Sequence, residues 1–219
     1  KGDAAAFRAR HHLAPEQPLL VVLPGSRSGE ITRLCPVFGQ TIQNLKQKHP
    51  ALIVVIPTFT AVEPLVHRMT ASWTHQPLIV KGDENKYGAF AAARVALAAS
   101  GTVALELALA KLPAVIAYKI NWLTGQLYRR LIDLSKIKYA NLVNIMHGRM
   151  LVPEYIQEHC TVKNLTKAVD ELLTNNAARH TQIAGLHEVA DWLGQGHTPP
   201  SERAAQTIIS IIKQAEGSP

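Results

Sequence analysis

The sequence predicts an α/β fold, a doubly wound parallel (Rossmann-like) sheet that carries a helical C-terminal tail. Three observations predict it. Short, continuously apolar runs recur through the first half of the chain, as strands buried on both faces require. Segments of helical period separate them, and strand alternating with helix implies right-handed crossovers. The last third loses the strand runs and reads as helices throughout.

The elements follow in order. Residues 1–18 show neither pattern and are expected to be a linker or the start of a fragment, since the chain opens on Lys1. Strands are expected at Leu19–Leu23, Leu52–Ile56, Leu78–Val80, Val95–Ala99 and Ala114–Tyr118. Between the first two, Ile31, Leu34, Val37, Phe38, Ile42 and Leu45 recur at helical spacing. Between the last two, a helix is expected over Thr102–Leu112. Three more are expected over Val162–Leu173, Ala177–Leu193 and Ser201–Lys213, with Gly194, Gly196, Pro199 and Pro200 breaking the last two apart. The expected sheet domain is therefore 19–194, and 195–219 a hinge and terminal helix. That helix carries Ala204, Ile208, Ile209, Ile211 and Ile212. It is expected either to dock on another domain or subunit or to pack on its own sheet.

Composition narrows the function classes. Of 219 residues, 47% are hydrophobic and 18% charged, which fits a globular core and not a disordered chain. No run approaches the roughly 20 apolar residues of a membrane span. Cys35 and Cys160 lie far apart without metal-ligand spacing, and such sparing use of cysteine suits a reducing compartment. The net charge of +7 favours an anionic partner: a phosphate-bearing metabolite, an anionic membrane or nucleic acid. Nucleic acid ranks last, for want of zinc-finger spacing or an aromatic-plus-arginine stacking pattern.

In a doubly wound sheet, ligands bind beyond the carboxyl ends of the strands where strand order reverses, which in the common order lies between the first and fourth strands. The loop after the first strand reads Pro24-Gly25-Ser26-Arg27-Ser28-Gly29-Glu30. Its glycines permit tight turns and exposed N–H groups, and Arg27 suits phosphate. Alternatively it is a generic turn with Glu30 in the first helical turn. It is neither the dinucleotide glycine pattern nor a P-loop, which disfavours a dehydrogenase. The loop after the fourth strand reads Ser100-Gly101-Thr102 and runs straight into a helix, whose amino end suits an anion. Ser100 also qualifies as a simple N-cap. Glu106 interrupts the otherwise apolar Val103–Ala110 and shares a face with Thr102. That suits a diphosphate and a ribose side by side. The alternative is a core carboxylate paired with a nearby cation.

These residues resemble lipid-A-disaccharide synthases. Leu23-Pro24-Gly25-Ser26-Arg27 with Glu30 resembles the motif that opens their C-terminal domain, and Ala99–Glu106 resembles a second signature. Pro113–Lys119 is similar to the strand that follows. Asn144, Gly148-Arg149, Val152-Pro153-Glu154 and Gln157 resemble the family's Pro-Asn…Gly-Arg…Glu…Gln run, with Val143 in place of the proline. The likeness spans about Leu19 to Gln157, and the helical tail is also similar.

The resemblance implies the C-terminal, donor-binding half of a GT-B glycosyltransferase. The family reaction moves 2,3-diacylglucosamine from UDP to 2,3-diacylglucosamine 1-phosphate and releases UDP. It implies diphosphate contacts from Gly25, Ser26, Arg27, Ser100, Gly101, Thr102 and Lys119, ribose contacts from Glu106, and Asn144 bordering the donor pocket. It implies no cofactor and no metal. The acceptor and the catalytic base are expected in a missing N-terminal half, so the fragment is expected to be inactive alone. The implied setting is the cytoplasmic face of a Gram-negative inner membrane, and a homodimer is compatible with it. Trp122–Ile132, with Arg129 and Arg130 among apolar and aromatic residues, suits an anionic membrane surface, acyl chains or packing on the sheet. Two other readings remain: another UDP-sugar transferase or epimerase half-domain, and a stand-alone nucleotide-binding module.

Overall fold

The structure is a computed structural model that describes residues 2–119, 138–196 and 200–216. The Trp122–Ile132 segment lies outside the described residues. Six strands form one parallel sheet: β1 (Leu19–Leu23), β2 (Ile53–Thr58), β3 (Leu78–Lys81), β4 (Val95–Ala99), β5 (Ala114–Tyr118) and β6 (Glu154–Ile156). Their spatial order is β3-β2-β1-β4-β5-β6. Strand order therefore reverses between β1 and β4, where Leu20 pairs with Val95 and Leu23 with Ala98.

Every residue of β1 and β4 is buried, because both faces of the sheet are covered. Successive side chains point to opposite faces. Leu20, Val22 and Leu97 join one core with α2 (Ser28–Lys48) and α7 (Val162–Thr174), through Leu34, Phe38, Leu165 and Val169. Leu19, Val21 and Ala98 join the other, with α4 (Asp83–Ala92), α5 (Val103–Leu109) and α8 (Asn176–Trp192). Each fully buried Leu, Ile or Phe contributes about 1.5–3 kcal/mol. The cap residues follow rule: Thr161 and Asn175 accept from the third amides of α7 and α8.

Several elements escape the sequence patterns: α3 (Glu63–Thr70), α4, α6 (Leu142–His147) and the edge strand β6. Residues 1–18 need a correction. Ala4–Arg10 forms α1, capped by the Asp3 carboxylate accepting from the Ala6 amide at 3.0 Å. Its Phe7 is buried in the second core, where Gly88 of α4 lets it approach: a Cβ on Gly88 would lie 3.0 Å from that of Phe7. One large apolar side chain in seven residues leaves no periodicity to read, yet it docks the segment on the domain.

The terminal helix α9 (Pro200–Glu216) is as expected in type and extent. Ile208, Ile209, Ile211 and Ile212 are each about half exposed, at 49–59%. They do not bury themselves in the sheet's cores.

Candidate functional site

A crevice of about 450 Å³ opens at the carboxyl ends of β1 to β4. Its floor is the β1–β4 seam, and five loop or helix segments form its walls. Gly25, Ser26 and Arg27 line it from the loop after β1; Ser100, Gly101 and Thr102 from the loop after β4; and Glu106 from α5. The structure thus brings together seven of the nine residues singled out by sequence.

The first loop is organised by a carboxylate. Gly25 has φ +126°, a value that favours glycine, and a Cβ there would meet the Cβ of Glu30 at 2.5 Å. Glu30 Oε2 accepts from the Ser26 amide at 2.9 Å and the Arg27 amide at 3.3 Å. The N–H groups expected to face an anion are therefore occupied by a side chain of the same loop. Arg27 caps α2 and donates to Glu30 Oε1 at 3.3 Å, yet its side chain is 83% exposed. So thin an attachment leaves its guanidinium able to turn toward a ligand anion.

The second loop keeps its hydroxyls available. The N-cap of α5 is Thr102, not Ser100, and it makes no side-chain cap bond. The Ala104 and Leu105 amides turn back onto the carbonyls of Gly101 and Thr102. Helix α5 is shorter than the expected Thr102–Leu112 and presents one face to the crevice. Glu106 is accordingly not a core residue: its side chain is 31% exposed. Of the pairing alternative, the cation partner is found but not the burial in a core. Glu106 lines the crevice, and its Oε2 pairs with the Lys86 ammonium and accepts from the Tyr87 hydroxyl at 3.3 Å. Burial, reinforced by the Glu106 charge, pushes the Tyr87 hydroxyl up, so it remains a donor at neutral pH.

Lys86 was not visible as a site residue. It sits on α4, reached through Gly82, whose φ of +84° makes the turn after β3. Phe59, after β2, is half exposed and also lines the crevice. The only signal in the sequence was Gly82 directly after a strand run, followed by Asp83 and Glu84 at a helix start. The lining holds two cations, Arg27 and Lys86, and three carboxylates, Glu30, Asp83 and Glu106. Among the described residues no group of three His, Cys, Asp or Glu side chains converges on a metal position.

Two predicted site residues do not line the crevice. Asn144 is fully buried on α6, and its amide is spent on the backbone. It donates to the Val152 carbonyl at 2.7 Å and accepts from the Leu151 and Val152 amides at 2.9 and 2.8 Å. It does not border this crevice; it ties α6 to the turn before β6. Glu154 acts similarly, accepting from the Ala140 and Asn141 amides. Lys119 follows β5 one strand beyond the seam, its carbonyl accepting from Arg33 Nε at 2.9 Å. Its charge acts on Cys160, whose thiol burial pushes up and Lys119 partly pulls back.

The family model for lipid-A-disaccharide synthetase matches residues 1–208. A lipid-A-disaccharide synthase of Rhodospirillum centenum is 52% identical over 211 residues, 96% of this chain and 52% of that protein. The chain spans about half the length of the curated relatives it matches. Among solved structures, the spinosyn rhamnosyltransferase SpnG complexed with thymidine diphosphate superposes with a TM-score of 0.58. It is 11% identical, and the match covers 87% of this chain and 45% of that one. The S. aureus MnaA–UDP co-structure gives a TM-score of 0.54 at 13% identity, covering 82% and 42%. Identities so low carry the fold alone.

Proposed function

Because this chain belongs to the lipid-A-disaccharide synthetase family, we propose that it is the donor-binding half of a GT-B glycosyltransferase. In this reading 2,3-diacylglucosamine passes from UDP to 2,3-diacylglucosamine 1-phosphate, with inversion at the anomeric carbon and release of UDP. The observation that carries the proposal is the meeting of Arg27, Ser100, Thr102 and Glu106 around one crevice at the β1–β4 switch point.

The chemistry assigns the roles. Arg27 leaves Glu30 for the diphosphate and stabilises the charge that develops as UDP departs. The Ser100 and Thr102 hydroxyls donate to the same oxygens. Glu106 accepts from the ribose hydroxyls with its Oε1, while Lys86 holds Oε2 and offsets the carboxylate's repulsion of the diphosphate. Lys119 is a remote contributor at most, since it does not line the crevice. The acceptor and the general base belong to the other half of the intact enzyme. Helix α9 docks on that half or on a second subunit. None of the described helices is long and apolar enough to cross a membrane. In this reading the protein sits peripherally on the cytoplasmic face of the inner membrane.

Calorimetry with UDP tests the reading. The full 219-residue chain binds UDP equally well with and without EDTA, and forms no disaccharide alone. Failure to bind UDP overturns the donor assignment; strong loss in EDTA overturns the metal-independent crevice. Turnover by this chain overturns the assignment of the base to the other half.

A further inference from the structure

The opposite end of the sheet carries a second cleft, and this one is basic. It opens at the amino ends of β1, β4 and β5, with a volume of about 410 Å³, and is lined by Arg8, Arg94, Lys111 and Arg179. A strand of five residues separates it from the crevice, a distance on the order of 17 Å. Pockets of this size suit small-molecule ligands.

Its charges are uncompensated. All four cations are partly buried. Among the described residues none of the four forms a salt bridge, and the sole carboxylate in the lining, Glu16, is exposed. Arg8 spends its guanidinium on the carbonyls of Ala14, Gln17 and Ala92, and Arg94 donates to the Leu173 carbonyl and to Asn176 Oδ1. These bonds hold the two guanidiniums in place without neutralising them. Arg179 Nη1 is buried and finds no hydrogen-bond partner. Burial lowers the Arg179 pKa, and the nearby Arg94 charge lowers it further. Arg179 also sits in the first turn of α8, which carries no acidic residue, so the helix dipole opposes it as well. A buried guanidinium donor facing a like charge at a helix amino end is costly unless an anion completes it.

We propose that this cleft is a second anion site, which takes a phosphate-bearing ligand between Arg94, Lys111 and Arg179. A phosphate offers several acceptor oxygens, enough to satisfy Arg179 Nη1 and neighbouring donors together. The shared chemistry is a phosphate monoester, carried either by a free metabolite or by a lipid headgroup. The site is independent of the nucleotide crevice and does not rest on its assignment.

The test uses inorganic phosphate on the full chain carrying Arg27→Ala, which removes the crevice's own mobile arginine. Phosphate, titrated against chloride at constant ionic strength, is expected to raise the melting temperature and to broaden the phosphorus resonance. Adding Arg179→Gln should weaken this response about tenfold or more, the loss of one charge-assisted hydrogen bond. Lys111→Asn should weaken it less; asparagine tolerates the φ of +57° found there. Co-sedimentation with phosphatidylcholine vesicles containing phosphatidic acid, lost in Arg179→Gln, assigns a lipid headgroup. Phosphate binding without vesicle binding assigns a free metabolite. A phosphate response no larger than that of chloride overturns the proposal, as does an unchanged response in both Arg179→Gln and Lys111→Asn.

Discussion

The loops after β1 and β4 and the segment between β5 and β6 both carry polar residues that resemble the same family's motifs, yet they spend them differently. Around the β1–β4 seam the polar groups are exposed, held by ion pairs that a ligand can exchange, or left free of caps: Arg27 on Glu30, Lys86 on Glu106, Ser100 and Thr102 uncapped. Among the described residues between β5 and β6 they are consumed by main chain, with Asn144 and Glu154 accounting for four amides and a carbonyl. Similar motif density therefore marks two kinds of constraint. On the proposed reading one is ligand chemistry; the other is the shape of the scaffold that carries it. A side chain whose donors and acceptors are all matched has little left to offer a substrate.

The largest expected effect breaks or upholds that contrast directly. Asn144→Ala strands three buried backbone groups and should cost about 3 kcal/mol in denaturant unfolding. Calorimetric UDP affinity of the folded variant should stay near the parent value. A stable variant that no longer binds UDP would place Asn144 with the ligand groups after all. Gly25→Ala should cost about 1–3 kcal/mol for its left-handed backbone, because the added Cβ also collides with Glu30. Unlike Asn144→Ala it should also abolish most UDP binding, since it displaces the loop that presents Arg27.

Arg27→Ala should be nearly silent in melting experiments, because an exposed ion pair is worth about 0–1 kcal/mol. It should weaken UDP by about 1.5–3 kcal/mol and uridine scarcely at all. Equal losses for both ligands would remove Arg27 from the diphosphate. The smallest effects sharpen the contrast within the crevice. Glu106→Gln should weaken UDP and uridine alike by about 1 kcal/mol, and deoxyribose analogues should not respond to it. Lys86→Met should weaken UDP more than uridine, because an unpaired Glu106 then repels the diphosphate. If Glu106→Gln lowers the melting temperature while both ligands bind normally, the Lys86 pair is structural and the ribose role fails.

Much of the fold was legible because its central strands are buried on both faces. β1, β4 and β5 begin and end where the apolar runs do, at Leu19–Leu23, Val95–Ala99 and Ala114–Tyr118. Elements with little to bury were not legible. β6 is three residues on the sheet's edge, all partly exposed, and α4 opens Asp83-Glu84-Asn85-Lys86 before its contacts Ala89 and Phe90. Lys86 went unseen for that reason, since spacing along the chain gave no reason to bring α4 against α5. Asn144 illustrates the converse. A motif records that a residue type is required at a position, and only the hydrogen-bond inventory tells whether ligand or main chain requires it.

The seam beneath the crevice also has a kinetic meaning. β1 and β4 are adjacent, yet Leu20 must find Val95 across two intervening strands and three helices. Closing so long a loop is slow and is rewarded only by contacts formed afterwards. The crevice therefore does not exist until the chain's most distant central pairing is complete. UDP is accordingly expected to slow unfolding of this chain in stopped-flow mixing while leaving its refolding rate unchanged, because the barrier is crossed before there is anywhere for the ligand to sit.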